Sequence, residues 1–377
     1  MRKMIVKKKA LALLLAVTAL TAGCGAQGSA FQSGKNDRTD TAAITEPGAD
    51  AAGAPDGGDD MQRYIVGIVQ YVDDASLNQI VASVQEELRV KGEELRVYFD
   101  YRNYTYNGQA DEETMNRIAA DLIAADVDII VPVATPAAMV IQNATAENPR
   151  DDGSLMPVVF AAVSDPGGAG LVADMNEPGS NITGTSDALD TESVFNLMFA
   201  ADPDIQTIGL LYDKNQHSSA APIAAARAYC ESKGVKVVEK NGMNSDEISL
   251  AADALIAAGA EAVFTPTDNS VMTAELAIYE KFIDAGVPHY CGADSFALNG
   301  AFLGYGVNYE ELGKATADMI VRILYYGADP ADMPVVMPDN GIATVNTETA
   351  EAIGLDYGMF KELCTDLVEI RTAEEFQ

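Results

Sequence analysis

Tryptophan is absent from the 377 residues, histidine occurs twice, and there are four cysteines. Each scarcity removes a class of chemistry. With only His217 and His289, and no Gly-x-Ser-x-Gly elbow, the chain is poorly supplied for nucleophilic or acid–base catalysis. Neither histidine sits in a His-Glu-x-x-His arrangement and no Cys-x-x-Cys occurs, so no metal site is expected. Basic residues are scarce too: 24 Lys+Arg face 57 Asp+Glu, a net charge of −33. So acidic a chain repels phosphate backbones, which excludes nucleic acid as a partner. A Gly-x-x-x-x-Gly-Lys-Ser/Thr loop is missing. The segment Gly168-Ala169-Gly170-Leu171-Val172-Ala173 has the outline of a dinucleotide fingerprint, but Asn176-Glu177-Pro178-Gly179 would break the helix that a fingerprint must open. No cofactor is expected.

The basic residues that exist are concentrated at the start. Arg2, Lys3, Lys7, Lys8 and Lys9 precede an apolar stretch from Ala10 to Ala22, the layout of an export signal over residues 1–23. That stretch falls short of the about 20 residues that a spanning helix needs. It ends Leu20-Thr21-Ala22-Gly23-Cys24, which resembles a bacterial lipobox. Cys24 is therefore expected to carry lipid and to anchor the chain at the outer face of the cytoplasmic membrane. After processing, Cys230, Cys291 and Cys364 remain, an odd number with no framework spacing, expected as small buried hydrophobes. Residues 24–62 are rich in Gly, Ala, Asp, Ser and Pro, with Phe31 and Ile44 the only large aliphatic or aromatic side chains from Gly25 to Asp60; they read as a disordered tether.

Beyond the tether, strand-length apolar runs alternate with helix-length amphipathic stretches. Tyr64–Val69 reads as a buried strand, and the next stretch places Leu77, Ile80, Val81, Val84 and Leu88 at helical spacing. A strand at Leu95–Tyr98, a helix at Asp111–Ala125 and strands at Ile129–Val133 and Val158–Val163 continue the scheme. A second half repeats it, with strands at Ile208–Tyr212, Val235–Val238 and Ala262–Phe264 and helices at Ala220–Lys233 and Ser245–Ala258. Continuous apolar strands separated by helices imply α/β architecture with parallel sheets covered on both faces. The stretch from Asp128 to Pro136 matches Glu261 to Asn269 in kind, and each is followed by a Pro-led strand, at Pro157 and Pro288. Two doubly wound lobes are expected.

Ligands of open parallel sheets bind beyond the carboxyl ends of the strands. Thr135, Ser164, Asp165, Tyr212, Thr267, Asp268, Asn269 and Asp294 all lie there, drawn from both halves. If the halves face each other, these groups share one cleft. Thr135-Pro136 puts Pro at a first helical position, leaving free amides for a carboxylate. Asp268 and Asp294 suit an ammonium or sugar hydroxyls.

Several segments together resemble the ABC transporter substrate-binding lipoprotein family that includes tryptophan- and tyrosine-type binding proteins. They are Val66-Gly67-Ile68-Val69-Gln70-Tyr71-Val72-Asp73, Ala134-Thr135-Pro136-Ala137-Ala138, Phe160 to Pro166, Ala169-Gly170-Leu171-Val172, Asn181-Ile182-Thr183-Gly184 and Thr267-Asp268-Asn269. The resemblance covers residues 63–354 and implies a type I periplasmic-binding fold, two α/β lobes joined by crossover strands that close on a solute. It implies a first lobe of 63–186 plus 302–330 and a second of 187–301 plus 331–377, the stretch 356–377 being longer than the family's usual end. Gln70, Tyr71, Ser76, Thr135, Ser164 and Asp165 are then expected to line the first lobe, and Tyr212, Thr267, Asp268, Asn269 and Asp294 the second. The expected function is capture of a small solute, an amino acid with aromatic side chains favoured by the resemblance, for an ABC permease, by a monomeric lipoprotein that is not an enzyme. A sugar or nucleoside is the alternative ligand, with Tyr71, Tyr212 and Tyr305 in place of the missing tryptophan, and a sensor lipoprotein is the alternative role.

Overall fold

The computed structural model describes residues 61–338 and 340–372; the leader, Cys24 and the tether up to residue 60 lie outside the described residues. The first half runs β1 (Arg63–Gln70), α1 (Ala75–Leu95), β2 (Tyr98–Asp100), β3 (Thr105–Asn107), α2 (Glu112–Ala124), β4 (Ile129–Val133), α3 (Thr135–Glu147), β5 (Val158–Phe160) and β6 (Ile182–Gly184). The second runs α4 (Thr191–Ala201), β7 (Thr207–Tyr212), α5 (His217–Lys233), β8 (Lys236–Asn241), α6 (Ser245–Ala257), β9 (Ala262–Thr265), α7 (Asn269–Ala285), β10 (His289–Cys291), α8 (Asp294–Leu298) and β11 (Leu303–Val307). Then come α9 (Tyr309–Leu324), β12 (Asn340–Asn346), α10 (Thr347–Ile353) and β13 (Asp366–Ile370).

Two sheets result. The first has order β2-β1-β4-β5-β6, with β3 pairing farther along the β1 edge that β2 also uses. The second has order β13-β12-β11-β10-β9-β7-β8. All pairings are parallel except β11 with β12. All five residues of β4 and all four of β9 are buried, as strands covered on both faces require. On α1, Leu77, Ile80, Val81, Val84 and Leu88 form the buried stripe, and Asp74 starts the helix by accepting from the Leu77 amide.

Three segments link the lobes. The chain leaves β6 through Thr185–Asp190 to α4, returns from β11 at Val307 to α9 at Tyr309, and passes from Val336, which bridges to Thr185, to β12 at Asn340. The expected assignment of 302–330 to the first lobe therefore needs correction. β11 lies inside the second sheet, hydrogen-bonded to β10 and β12, whereas α9 packs on α1 in the first lobe. At that helix contact Gly313 lets the backbones approach: a Cβ there would sit 2.6 Å from the Ser83 Cβ and 2.8 Å from the Ile80 carbonyl oxygen. Residues 331–336 also stay with the first lobe, where Thr183 Oγ1 donates to the Met333 carbonyl at 2.8 Å. The long C-terminal stretch has a structural role, since β13 extends the second sheet beside β12. Strand β2 begins at Tyr98 rather than Leu95, because α1 continues to Leu95 and stops at Arg96 in the left-handed region.

Candidate ligand-binding cleft

Between the lobes lies a cavity whose lining comes almost wholly from segments that follow strands. The first lobe contributes Asp74, Ser76 and Leu77 after β1, Ala134 and Thr135 after β4, and Ala162 and Ser164 after β5. The second contributes Ser218 after β7, Thr267, Asp268, Asn269 and Met272 after β9, and Ala293, Ser295 and Phe296 after β10. Two linking segments add Asp187 and Tyr309. This is the carboxyl-end arrangement of open α/β sheets, doubled.

Local backbone geometry serves the cavity. Ala134 (φ 78°) and Ala162 (φ 53°) are left-handed without being glycine, and they stand at the ends of neighbouring strands, where the Ala134 amide donates to the Ala161 carbonyl at 2.9 Å. Such strain persists where the surroundings over-determine it, commonly at ligand sites. No side chain caps α3, which starts Thr135-Pro136, nor α5, which starts at His217. Apart from Ser219, whose amide donates to the Gln216 carbonyl at 3.1 Å, and Pro136, which has no N–H, the first-turn amides have no capping side chain and leave a positive potential at helix ends whose neighbours Thr135 and Ser218 line the cavity.

The electrostatics are one-sided. No Lys, Arg or His lines the cavity, while Asp74, Asp187 and Asp268 do. Burial pushes the Asp74 carboxyl up to about 7, with nearby Asp294 adding to the rise and the Leu77 amide opposing it. Burial also raises Asp187 to about 6 against the hydrogen bond from Ser164, 2.9 Å long. It raises Asp268 to about 6 despite the Ser219 hydroxyl and two backbone amides. Asp294 is raised for the same reason, and the Tyr309 phenol, buried near Asp187, Asp294 and Asp74, is held neutral. Beside these groups Leu77, Met272 and Phe296 make an apolar wall.

Of the residues expected at the site, Ser76, Thr135, Ser164, Thr267, Asp268 and Asn269 line this cavity. Asp294 lies against it, accepting from Ser76 Oγ at 2.6 Å, and faces an adjoining groove with Gln79 and Thr344. The other four do not line it. Gln70 is buried, donating to the Val72 carbonyl at 2.7 Å and to Asn78 Oδ1 at 2.6 Å, so it shapes the β1–α1 turn. Tyr71 is half-buried, and its hydroxyl meets Gln216 of the other lobe. Asp165 closes a turn by accepting from the Gly168 amide at 2.8 Å. Tyr212 bonds Glu239 (3.0 Å) and Arg227 (3.2 Å), a cluster built by β7, β8 and α5. Asp74, Asp187, Ser218, Met272, Ser295, Phe296 and Tyr309 were missed. Tyr309 had a usable signal, since it follows the apolar run Leu303–Val307 as Thr135 follows β4.

His217 opens α5, and His289 is buried in β10 between Glu275 Oε1 (2.9 Å) and Thr265 Oγ1 (2.8 Å). Cys230 and Cys291 are buried and unpaired, while Cys364 is half-buried and also unpaired. No helix among the described residues is long and apolar enough to cross a membrane.

Residues 65–358 match the ABC transporter substrate binding protein family. The chain belongs to that family. This ABC transporter substrate binding protein is 25% identical over 360 residues to the tyrosine-binding protein of Clostridioides difficile (strain R20291), a match spanning 93% of this chain and 94% of that one. Among solved structures it resembles the ABC domain in complex with L-Trp from Streptococcus pneumoniae, with 28% identity and a TM-score of 0.73, covering 81% of this chain and 100% of the other. It also resembles the ligand-free, open form of a substrate binding protein with adhesive properties from Clostridium difficile, with 28% identity and a TM-score of 0.62, covering 82% and 100%. The two α/β lobes and their sheets are those of this periplasmic-binding architecture.

Proposed function

We propose that this substrate binding protein captures an aromatic amino acid between its lobes and delivers it to an ABC permease, working outside the cytoplasm as a monomer anchored by lipid on Cys24. The observation that carries the ligand class is the cavity lining: buried carboxylates with no basic side chain, beside Leu77, Met272 and Phe296. Carboxylates taken from water are costly unless paired, so the cavity favours a ligand that brings its own cation. The apolar wall favours a hydrophobic side chain, and the uncapped starts of α3 and α5 offer amides to a carboxylate. Thr135, Ser164, Thr267 and Asn269 supply further hydrogen bonds. The named ligands of the relatives, tyrosine and L-Trp, agree with this chemistry.

Capture is a hinge closure, and a ligand drives it only by contacts it makes in the closed form. At equal identity the chain overlays better on the L-Trp complex than on the open relative, in keeping with lobes that touch through Ser76 and Asp294. Thermal melts against panels of amino acids, sugars and nucleosides test the reading. L-tryptophan or L-tyrosine at about 100 Kd is expected to add about 2.7 kcal/mol of stability. A melt shifted only by nucleosides or sugars would overturn it.

A further inference from the structure

Two buried polar atoms in the cavity lining lack a hydrogen-bond partner, one from each lobe: Asp74 Oδ2 and Ser218 Oγ. Both residues are 3% exposed. Their neighbours are committed elsewhere. Asp268 holds four donors, the amides of Ser270, Val271 and Asp213 and the Ser219 hydroxyl. Asp187 accepts from Ser164 and Asp294 from Ser76. Asp74 differs because its two oxygens have separate tasks: Oδ1 accepts the Leu77 amide at 3.0 Å and starts α1, whereas Oδ2 has no partner in hydrogen-bond geometry, although the Ser295 hydroxyl and the Ser76 amide lie close enough to favour the charged carboxylate. A buried oxygen left unsatisfied costs free energy that an arriving donor recovers.

We propose that the ligand lies across the lobe boundary with its ammonium on Asp74 Oδ2 and its carboxylate on Ser218 Oγ and the uncapped first turn of α5, so that Asp74 makes a protonated amine obligatory. This assignment rests on the amino-acid reading above. An ammonium has three donors and no acceptor, which suits a lone carboxylate oxygen. The first turn of α5 carries partial positive charge and a hydroxyl, which suit a carboxylate. The reverse orientation would press the ligand carboxylate toward Asp74 and its close neighbour Asp294.

The test is calorimetric titration of the full chain and of Asp74→Asn and Ser218→Ala, using L-tyrosine, tyramine and 3-(4-hydroxyphenyl)propionate, with L-tryptophan, tryptamine and indole-3-propionate as the parallel series. Asn retains the oxygen that starts α1, so Asp74→Asn keeps the helix cap while replacing the other oxygen by an amide donor. It is expected to weaken amino-acid binding by about 30-fold or more, as for a buried charge left without its partner, and to leave the propionates unchanged or better bound. Ser218→Ala is expected to narrow the preference for amino acid over amine. Asp74→Asn binding the amino acid within about threefold of the parent, or losing amino acid and propionate equally, overturns the ammonium placement. An unchanged amino-acid-to-amine preference in Ser218→Ala overturns the carboxylate placement. If the parent chain binds some other solute and neither amino acid, the functional reading fails, and the orientation fails with it.

Discussion

Ser76 Oγ donates a 2.6 Å hydrogen bond to Asp294 Oδ1, and the two residues belong to opposite lobes. One opens α1 in the first lobe and the other opens α8 in the second, so the bond exists only while the lobes touch. Removing it by Ser76→Ala leaves a buried carboxylate oxygen short of a donor, at a cost to the closed form of about 1–2 kcal/mol. Affinity for the amino acid is expected to fall by a factor of about 5 to 30, measured by titration calorimetry. Unchanged affinity would show that the bond does not bias closure.

The buried carboxylates set a pH dependence. Asp74, Asp187 and Asp268 lose their protons with more difficulty in the folded chain than in the unfolded one, so the folded form binds more protons between the ordinary carboxyl range and pH 6 to 7. Their effect is most favourable at low pH and is lost as pH rises through about 6 to 7. Carboxylates held low by arginine, such as Glu239 beside Arg227, act in the opposite sense, and only near or below the ordinary carboxyl range of about 4. The ligand-free protein is therefore expected to melt at a higher temperature at pH 5 than at pH 8. A flat or falling melting temperature over that interval would contradict this.

A ligand ammonium competes with those protons. Affinity for an aromatic amino acid is expected to weaken from pH 8 to pH 5, with proton release on binding detectable by calorimetry in buffers of different ionisation enthalpy. Affinity that strengthens on acidification would mean that the ligand meets protonated carboxyls and does not use its ammonium there.

Asp268 and Tyr212 are expected to separate fold from function. Asp268 starts α7 and also holds the Asp213 amide at 2.7 Å and the Ser219 hydroxyl at 2.6 Å. Asp268→Ala should lower stability without ligand by about 2 kcal/mol or more in urea unfolding, from the lost cap and the stranded donors. Tyr212→Phe, which touches only the Arg227 and Glu239 cluster, should leave amino-acid affinity unaltered.

Much of this was legible because strands buried on both faces read as unbroken apolar runs, as at Ile129–Val133, and because polar residues just past them fall on one rim. That logic located Thr135, Ser164 and Thr267 at the cavity. It misplaced Tyr212 because a strand-end position does not fix the direction of a side chain, and β8 and α5 give this hydroxyl its own partners. It could not find Asp187, whose place in the cleft depends on how the linking segments set one lobe against the other. The sheet membership of β11 was hidden for a related reason: Leu303–Val307 is equally apolar in either lobe, and its neighbours β10 and β12 are a matter of topology.

The proposed lipid anchor rests on the sequence motif at Cys24. Cys24→Ser should shift the protein from the membrane pellet to the soluble extracytoplasmic fraction while purified protein still binds its ligand. Retention of the variant in the membrane would count against the lipid anchor.

The most direct test of a cleft that shuts on an amine-bearing aromatic solute is small-angle X-ray scattering of the purified protein with and without saturating L-tryptophan. The radius of gyration is expected to shrink with L-tryptophan and to stay fixed with indole-3-propionate or glucose. Binding of L-tryptophan with no contraction, or an equal contraction with glucose, would contradict it.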